Sequence, residues 1–296
     1  MIYVQLVVSG LLLGGVYALI SIGLTLIFGV LRVVNFAHGE FLMVGMFAAY
    51  WLFQLWAVPA FISALVMLPP FILFGFLVYR LVIRRTLGQG DVVQIFATVG
   101  VGVILQNLAL VLWTGDFRTI RTSYADAVLQ LAGVQVSVPL LVAGAAAVGA
   151  TLLLFLFLNS TLEGKAIRAV AQDPIAALSM AIDIDRINLR AFTIGTCCVG
   201  LAGMLLAPSY PIFPGIGHSF GLVSYVVVVL GGLGSMIGAL MGGLIIGLIE
   251  TFSGFFIGTA LKQAVYFLVF VLVLVVRPQG LFGQRGAETL GFGRSV

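Results

Sequence analysis

Residues 1–31 read MIYVQLVVSGLLLGGVYALISIGLTLIFGVL, a stretch without a charged side chain. About 20 consecutive apolar residues are enough for a helix to cross the hydrocarbon core of a bilayer. A cleaved signal peptide would begin with a basic segment and have a shorter apolar stretch, and this sequence has neither feature. We therefore expect residues 4–29 to form a first transmembrane helix that is retained.

The composition of the whole chain is that of an integral membrane protein. Of the 296 residues, 62% are hydrophobic and 8% are charged, against roughly 45–50% and 25% in soluble domains. With a mean hydropathy of +1.24, too few charged groups remain to cover a water-soluble surface. Glycine accounts for 37 residues, which is typical of membrane helices that pack closely or break within the bilayer.

Seven further apolar segments complete the prediction of an all-α integral membrane protein with about eight transmembrane helices, forming one domain over residues 1–296. They lie near residues 36–56, 58–83, 92–113, 138–158, 191–208, 219–252 and 256–276. The segment 219–252 is longer than a simple span and is rich in glycine, so we expect two helical pieces joined by irregular backbone. Such a break needs shielding from lipid. The segment either crosses the membrane twice or enters and leaves from the outer side.

The basic residues predict the orientation of the chain, because lysine and arginine are enriched in cytoplasmic loops. Most of the 14 basic residues are cytoplasmic if the loops at 84–91 and 159–190 and the tail from 277 lie inside. Arg118, Arg121 and Lys262 then lie outside. The net charge of +4 is therefore interpreted as a topology signal and not as a nucleic-acid-binding surface.

Motifs for catalysis are missing from the sequence. It contains no phosphate-binding glycine loop, no HExxH and no nucleophile elbow. Cys197 and Cys198 are adjacent within an apolar segment, where they cannot form a zinc site with spaced ligands or a disulfide framework. We therefore expect no catalytic residue, no metal and no cofactor bound by this chain, so the energy for active transport would come from another subunit.

The inner loop at 159–190 is the longest polar segment on the predicted cytoplasmic side. Asp173 as N-cap and Pro174 at the first helical position predict a second short helix within it. Ala176, Ala177 and Ala181 would give this helix a small exposed face. The loop is either a solvated connector or a docking surface, and two short helices on so small a cytoplasmic surface favour docking.

Three polar residues near the second span, Asn35, His38 and Glu40, are candidates for function, because ionisable groups inside membranes are rare. A structural position at the interface, with water available, is the alternative. Glu250 is either a solvated helix end or part of a gate. The glycines from 231 to 247 indicate close packing, a re-entrant break or a flexible gate.

Four blocks of sequence resemble the permeases of branched-chain amino acid ABC importers, the LivH-type family. The blocks are NFAHGEF at 35–41, EGKAIRAVAQD at 163–173 with Ala177 and Leu178, GGLGSMIG at 231–238 and RPQGLFG at 277–283. The resemblance covers nearly the whole chain. Relatives usually carry glycine where this chain has Ala181, which puts the turn at that position in doubt.

The resemblance implies a transmembrane permease subunit of an ATP-driven importer in the bacterial inner membrane. It would move branched-chain or related small amino acids from a periplasmic binding protein by alternating access, with a second permease subunit and two ATPase subunits that hold ATP-Mg. The inner loop would be the coupling loop. Its implied docking residues are Glu163, Gly164, Lys165, Ala166, Arg168, Ala169, Asp173 and Ala177. The candidate translocation path or gate consists of Asn35, His38, Glu40, Gly231, Gly232 and Gly234.

Three other functions remain open from the sequence. The same family includes permeases for urea and short amides. A self-sufficient secondary transporter or channel would need a charged coupling-ion site near the midplane or a polar filter, and the sequence indicates neither. A membrane scaffold without transport activity would not need the coupling loop.

Overall fold

The computed structural model describes residues 1–122, 124, 127–131 and 133–283; the predicted tail beyond 283 lies outside the described residues. The described part contains thirteen α-helices, one π-helical segment (Tyr79–Ile83) and one antiparallel hairpin of two strands. The helices are α1 (Ile2–Leu31), α2 (His38–Trp56), α3 (Ala60–Val66), α4 (Leu68–Val78), α5 (Arg84–Thr86), α6 (Asp91–Trp113), α7 (Val138–Ser160), α8 (Leu162–Gln172), α9 (Pro174–Ser179), α10 (Ile184–Leu206), α11 (Ile216–Gly231), α12 (Met236–Phe256) and α13 (Lys262–Val276). The strands are β1 (Val128–Leu131) and β2 (Val134–Ser137).

The all-α membrane fold predicted from the sequence is confirmed. Five of the described helices are long and apolar enough to cross a membrane, namely α1, α6, α7, α10 and α12. Helices α2 and α3 meet at a bend of 107° and give a sixth span if they are counted together. Helices α11 and α13 are apolar but shorter, so the total of about eight spans stays a prediction.

Helix α1 lies at the centre of the bundle, and small residues bring its neighbours into backbone contact with it. A Cβ atom added at Gly14 would lie 2.7 Å from Cα of Leu244 in α12. A Cβ atom at Gly23 would lie 2.7 Å from the carbonyl oxygen of Gly195 in α10. Glycine therefore permits the close approach of three helices at these positions, as it does in many membrane bundles.

The predicted break in the segment 219–252 is confirmed and separates α11 from α12. Gly232 and Gly234 have φ values of 106° and 80°, which side-chain-bearing residues rarely adopt. Gly234 lies beside Gly29, close to the C-terminus of α1, and α8 reaches the same region through the hydrogen bond from Arg32 to Ala171. The break therefore lies at the end of the bundle that carries α8 and α9, which we call the loop end.

The segment that follows α13 covers this break. The amide of Leu281 donates to the carbonyl oxygen of Leu230 at 2.8 Å, and the amide of Phe282 donates to that of Gly231 at 3.0 Å. These two bonds satisfy carbonyls at the C-terminus of α11, where intrahelical donors run out. The RPQGLFG block thus stabilises the structure by capping the C-terminus of α11.

Candidate functional site

A buried junction between α1, α2 and α11 contains the first group of predicted site residues. His38 donates from Nε2 to the carbonyl oxygen of Ile20 at 2.9 Å. Ile20 lies about three turns, or roughly 16 Å, before the end of α1 at Leu31. Residues 32–37 therefore turn back along α1, and α2 begins deep in the bundle.

The three polar side chains of this junction are shielded by the protein. Asn35 is 1% exposed, His38 is fully buried and Glu40 is 9% exposed. The interpretation that His38 and Glu40 sit in contact with interfacial water is therefore wrong for this chain. Their burial results from the early turn into α2, which the sequence pattern did not indicate.

Each of these side chains retains a polar atom without a hydrogen-bond partner among the described residues. The atoms are Nδ2 of Asn35, Nδ1 of His38 and Oε2 of Glu40. An unpaired buried polar group costs about 1–3 kcal/mol of folding free energy, so three such atoms in one region destabilise the folded chain. They are a donor, a ring nitrogen and an acceptor, all unpaired within the described residues.

Two glycines from other helices make room for Glu40. A Cβ atom at Gly217 in α11 would lie 2.7 Å from Cδ of Glu40, and one at Gly102 in α6 would lie 3.5 Å from its Cγ. In α11, Tyr225 donates from its hydroxyl to the carbonyl oxygen of Asn35 at 2.7 Å. Tyr225 was not singled out from the sequence, because nothing local to it indicates a contact with residue 35.

The second group of predicted path residues, Gly231, Gly232 and Gly234, lies elsewhere. They form the turn at the loop end of α11, whereas Gly217 contacts Glu40 near its other end. Four turns of α11, roughly 21 Å, separate the two places. The structure therefore does not bring the two predicted groups together, although α11 connects them.

The inner loop folds as two short helices, as predicted. Thr161 caps α8 by accepting a hydrogen bond at Oγ1 from the amide of Gly164, at 3.0 Å. Asp173 caps α9 by accepting at Oδ1 from the amides of Ile175 and Ala176, at 2.9 and 3.0 Å. The predicted N-cap at Asp173 with Pro174 in the first turn is confirmed.

The predicted docking residues divide into buried and exposed positions. Gly164 is buried against the end of α7, and Ala177 is only 3% exposed. The predicted exposure of Ala177 is wrong, because its side chain anchors α9 to the bundle. The remaining docking candidates are partly or fully exposed: Glu163, Lys165, Ala166, Arg168, Ala169 and Asp173.

Large apolar side chains of the second half of the loop face outward instead. Ile175, Leu178 and Met180 are 78%, 61% and 77% exposed. Ala181 adopts a left-handed conformation with φ of 59°, so the turn forms even though the position has no glycine. This turn directs Ile182 back towards Ala177, whose carbonyl oxygen accepts from the amide of Ile182 at 3.1 Å.

A buried polar cluster that the sequence did not predict joins α1, α12 and α13. Tyr17 donates to Oε2 of Glu250, and Lys262 donates to Oε1, both at 2.6 Å. Glu250 is 5% exposed, so the interpretation of this residue as a solvated helix end is wrong. The neighbouring Thr251 and Ser253 donate to carbonyls of their own helix.

Comparison with known proteins finds relatives over most of the chain. The family model described as "Branched-chain amino acid transport system / permease component" matches residues 6–274. The high-affinity branched-chain amino acid transport system permease protein BraD of Pseudomonas aeruginosa is 31% identical, over 97% of both chains. The LivH permease proteins of Escherichia coli and Salmonella typhimurium are 29% and 30% identical, also over 97% of each chain. No solved structure matches the chain.

Proposed function

Because the chain belongs to the permease-component family of branched-chain amino acid transport systems, we propose that it serves an ATP-driven importer. The chain is a multi-pass membrane permease. In the proposed assembly it pairs with a second permease subunit and two ATPase subunits that bind ATP-Mg. A periplasmic binding protein delivers branched-chain or related small amino acids, and the complex resides in the bacterial inner membrane.

The observation that best supports a transport path through this chain is the buried junction at the start of α2. Asn35, His38 and Glu40 offer unpaired polar atoms in an otherwise apolar bundle. An amino acid carries an ammonium group and a carboxylate, which need an acceptor and a donor when they leave water. Oε2 of Glu40 and Nδ2 of Asn35 supply one of each, so the junction suits a zwitterionic substrate.

The inner loop supports the proposed coupling to ATPase subunits. Ile175 and Leu178 on α9 and Met180 at its C-cap are exposed apolar side chains, which together we call the α9 tip. Large apolar groups exposed on a helix outside the membrane-spanning segments are typical of contact sites for a partner protein. Ala177 anchors α9 to the bundle, and α8 packs on α7, so a displacement of the loop reaches the spanning helices.

Alternating access would use the connection between the two predicted groups of path residues. The coupling loop lies at the same end as the glycine turn, and α11 runs from that turn to Glu40. Because α11 is continuous between these two places, a movement at the loop end would be transmitted along α11 to the buried junction. Gly232 and Gly234, with positive φ values, permit the turn between α11 and α12.

Uptake of labelled leucine into liposomes tests the proposal. The liposomes contain this chain, its partner permease and both ATPase subunits, with or without binding protein and ATP. Uptake that needs both components supports the importer. Uptake by this chain alone, with an ion gradient or downhill, would instead identify a secondary transporter or channel, and ATP-dependent uptake of urea or amides without leucine would assign the other substrate class.

A further inference from the structure

A cavity of about 900 Å³ lies at the loop end of the bundle, between α1, α7, α8 and the turn before α12. Two arginines line it, Arg32 after α1 and Arg168 on α8, and no acidic residue of the described chain lines it. Arg32 donates to the carbonyl oxygen of Ala171 at 3.1 Å, and Arg168 donates to Oδ1 of Asn159 at 2.7 Å. Both positive charges thus have neutral partners.

These two arginines differ from others at the same end of the protein. Arg84, Arg186 and Arg190 each form an ion pair, with Asp185, Asp183 and Glu163 respectively. Within the described residues, Arg32 and Arg168 form no ion pair. A cavity with two uncompensated guanidinium groups has a positive potential and favours an anion.

The N-terminus of α12 opens into the same cavity and adds to this potential. Helix α12 is 21 residues long, and Met236 and Ile237 at its start line the cavity. Ser235 caps the helix by accepting at Oγ from the amide of Gly238 at 3.0 Å. The amides of Met236 and Ile237 have no acceptor among the described residues, and such amides at a helix N-terminus favour oxyanions.

A buried hydroxyl provides an independent indication of a ligand. Thr25 lines the cavity, is 1% exposed, and its Oγ1 has no hydrogen-bond partner in the described part of the chain. Threonine within a helix usually bonds a carbonyl of the preceding turn, but Thr25 does not. Its hydroxyl is therefore left without a partner in the wall of a cavity that already has two arginines and a helix N-terminus.

We propose that this cavity binds an oxyanion, a phosphate or carboxylate group, through Arg32, Arg168, Thr25 and the N-terminus of α12. Guanidinium groups bind such oxyanions with two parallel N–H donors. The same chemistry is offered by a free anion and by the headgroup of an anionic phospholipid. A bound anion joins α8 in the coupling loop to the glycine turn before α12, so its presence would stiffen the loop end.

Titration of inorganic phosphate against the purified full chain in phosphatidylcholine nanodiscs tests the site, at constant ionic strength maintained with chloride. The dissociation constant is obtained from the rise in melting temperature. We expect Arg168→Gln and Arg32→Gln each to weaken binding about tenfold or more, since a charged hydrogen bond contributes about 1.5–3 kcal/mol. Thr25→Val, which keeps the shape, should weaken it about threefold.

The matched control is Arg186→Gln, which removes one positive charge from the same end of the protein outside the cavity. It should leave phosphate binding unchanged. The site is overturned if phosphate does not stabilise the chain, or if Arg186→Gln weakens binding as much as Arg168→Gln. Thr25→Val keeps the test valid if an arginine variant does not fold.

A second arm distinguishes the two sources of the oxyanion. Nanodiscs with phosphatidylglycerol should suppress phosphate binding if a headgroup occupies the cavity, and the Arg168→Gln chain should then retain less phosphatidylglycerol in native mass spectrometry. Phosphate binding of equal strength in both lipids assigns the site to a free anion. Both results depend on the chain alone, so a failure of leucine uptake would not affect them.

Discussion

Tyr17 and Glu250, separated by 233 positions in the chain, share a buried hydrogen bond of 2.6 Å between the tyrosine hydroxyl and Oε2. Lys262 binds the other carboxylate oxygen. Because Glu250 is only 5% exposed, these two side chains compensate a charge that the apolar bundle could not otherwise accommodate. The cluster holds α1, α12 and α13 together, towards the end of α12 that lies away from the glycine turn.

We predict that Lys262→Met destabilises the protein more than Glu250→Gln. The first change leaves a carboxylate buried without its cation, which costs about 3–5 kcal/mol. The second leaves the ammonium group of Lys262, whose side chain is 29% exposed and can reach water. Thermal unfolding in detergent measures both, and the double variant should recover part of the loss. Equal effects of the two single changes would contradict the buried pair.

Gly243→Ala should destabilise the bundle strongly. The added Cβ atom would lie 2.7 Å from Cα of Ala18, so α12 would have to move away from α1, and overpacking of this kind costs about 1–3 kcal/mol. The control is Gly149→Ala in α7, where, apart from the nearby backbone of α7 itself, no atom of the described residues lies within 4 Å of the added Cβ. That change should be neutral or slightly stabilising in a melting experiment. If both variants melt alike, the contact between α1 and α12 is not as close as described.

Local sequence signals predicted part of this architecture. Glycines 231–238 predicted the break before α12, and the Asp173–Pro174 pair predicted the start of α9, because both depend on backbone preferences of a few residues. The cluster of Tyr17, Glu250 and Lys262 depends on which helices become neighbours, and a single sequence does not contain that information.

The same limit explains the errors at the candidate sites. Ala177 is small enough for an exposed or a buried face, and only the packing of α9 on the bundle decides between them. His38 and Glu40 follow a short polar stretch that resembles a loop at the membrane boundary. The chain instead turns back along α1 there, which buries both side chains.

Leu178→Asp should uncouple ATP hydrolysis from uptake while the protein still folds. Leu178 is exposed on the α9 tip, so a charge costs little in the isolated chain but would have to be desolvated in an apolar contact with an ATPase subunit. The measurements are ATPase activity and leucine uptake of the reconstituted complex. Ala177→Glu provides the contrast, because a charge at this buried position should lower expression and melting temperature. Normal coupled uptake by Leu178→Asp would show that the α9 tip does not form the proposed contact with an ATPase subunit.

Glu40→Gln should reduce leucine uptake several-fold without a comparable loss of stability. The amide has nearly the shape of the carboxylate, but it lacks the charge that would bind an ammonium group in the junction. Uptake kinetics in proteoliposomes check this prediction. Asp116→Asn, an exposed change in the loop after α6, is the control and should transport normally. Unaltered uptake by Glu40→Gln would exclude the junction as a binding position for the substrate ammonium.

Ala181→Gly should stabilise the inner loop. Ala181 has a φ of 59°, and a left-handed conformation costs a residue with a Cβ atom about 1–2 kcal/mol, which exceeds the extra entropy that glycine loses on folding, about 0.5–1 kcal/mol. Ala176→Gly provides the matched control, because Ala176 is also exposed but lies within α9, where glycine is unfavourable by about 1 kcal/mol. Hydrogen exchange of the α9 amides measures both changes.

Exchange of the α9 amides should be slower in Ala181→Gly, because this variant relieves strain. It should be faster in Ala176→Gly, because that variant weakens the helix. Faster exchange in both variants would show that residue 181 does not adopt the left-handed turn and that the α9 tip is held in another way.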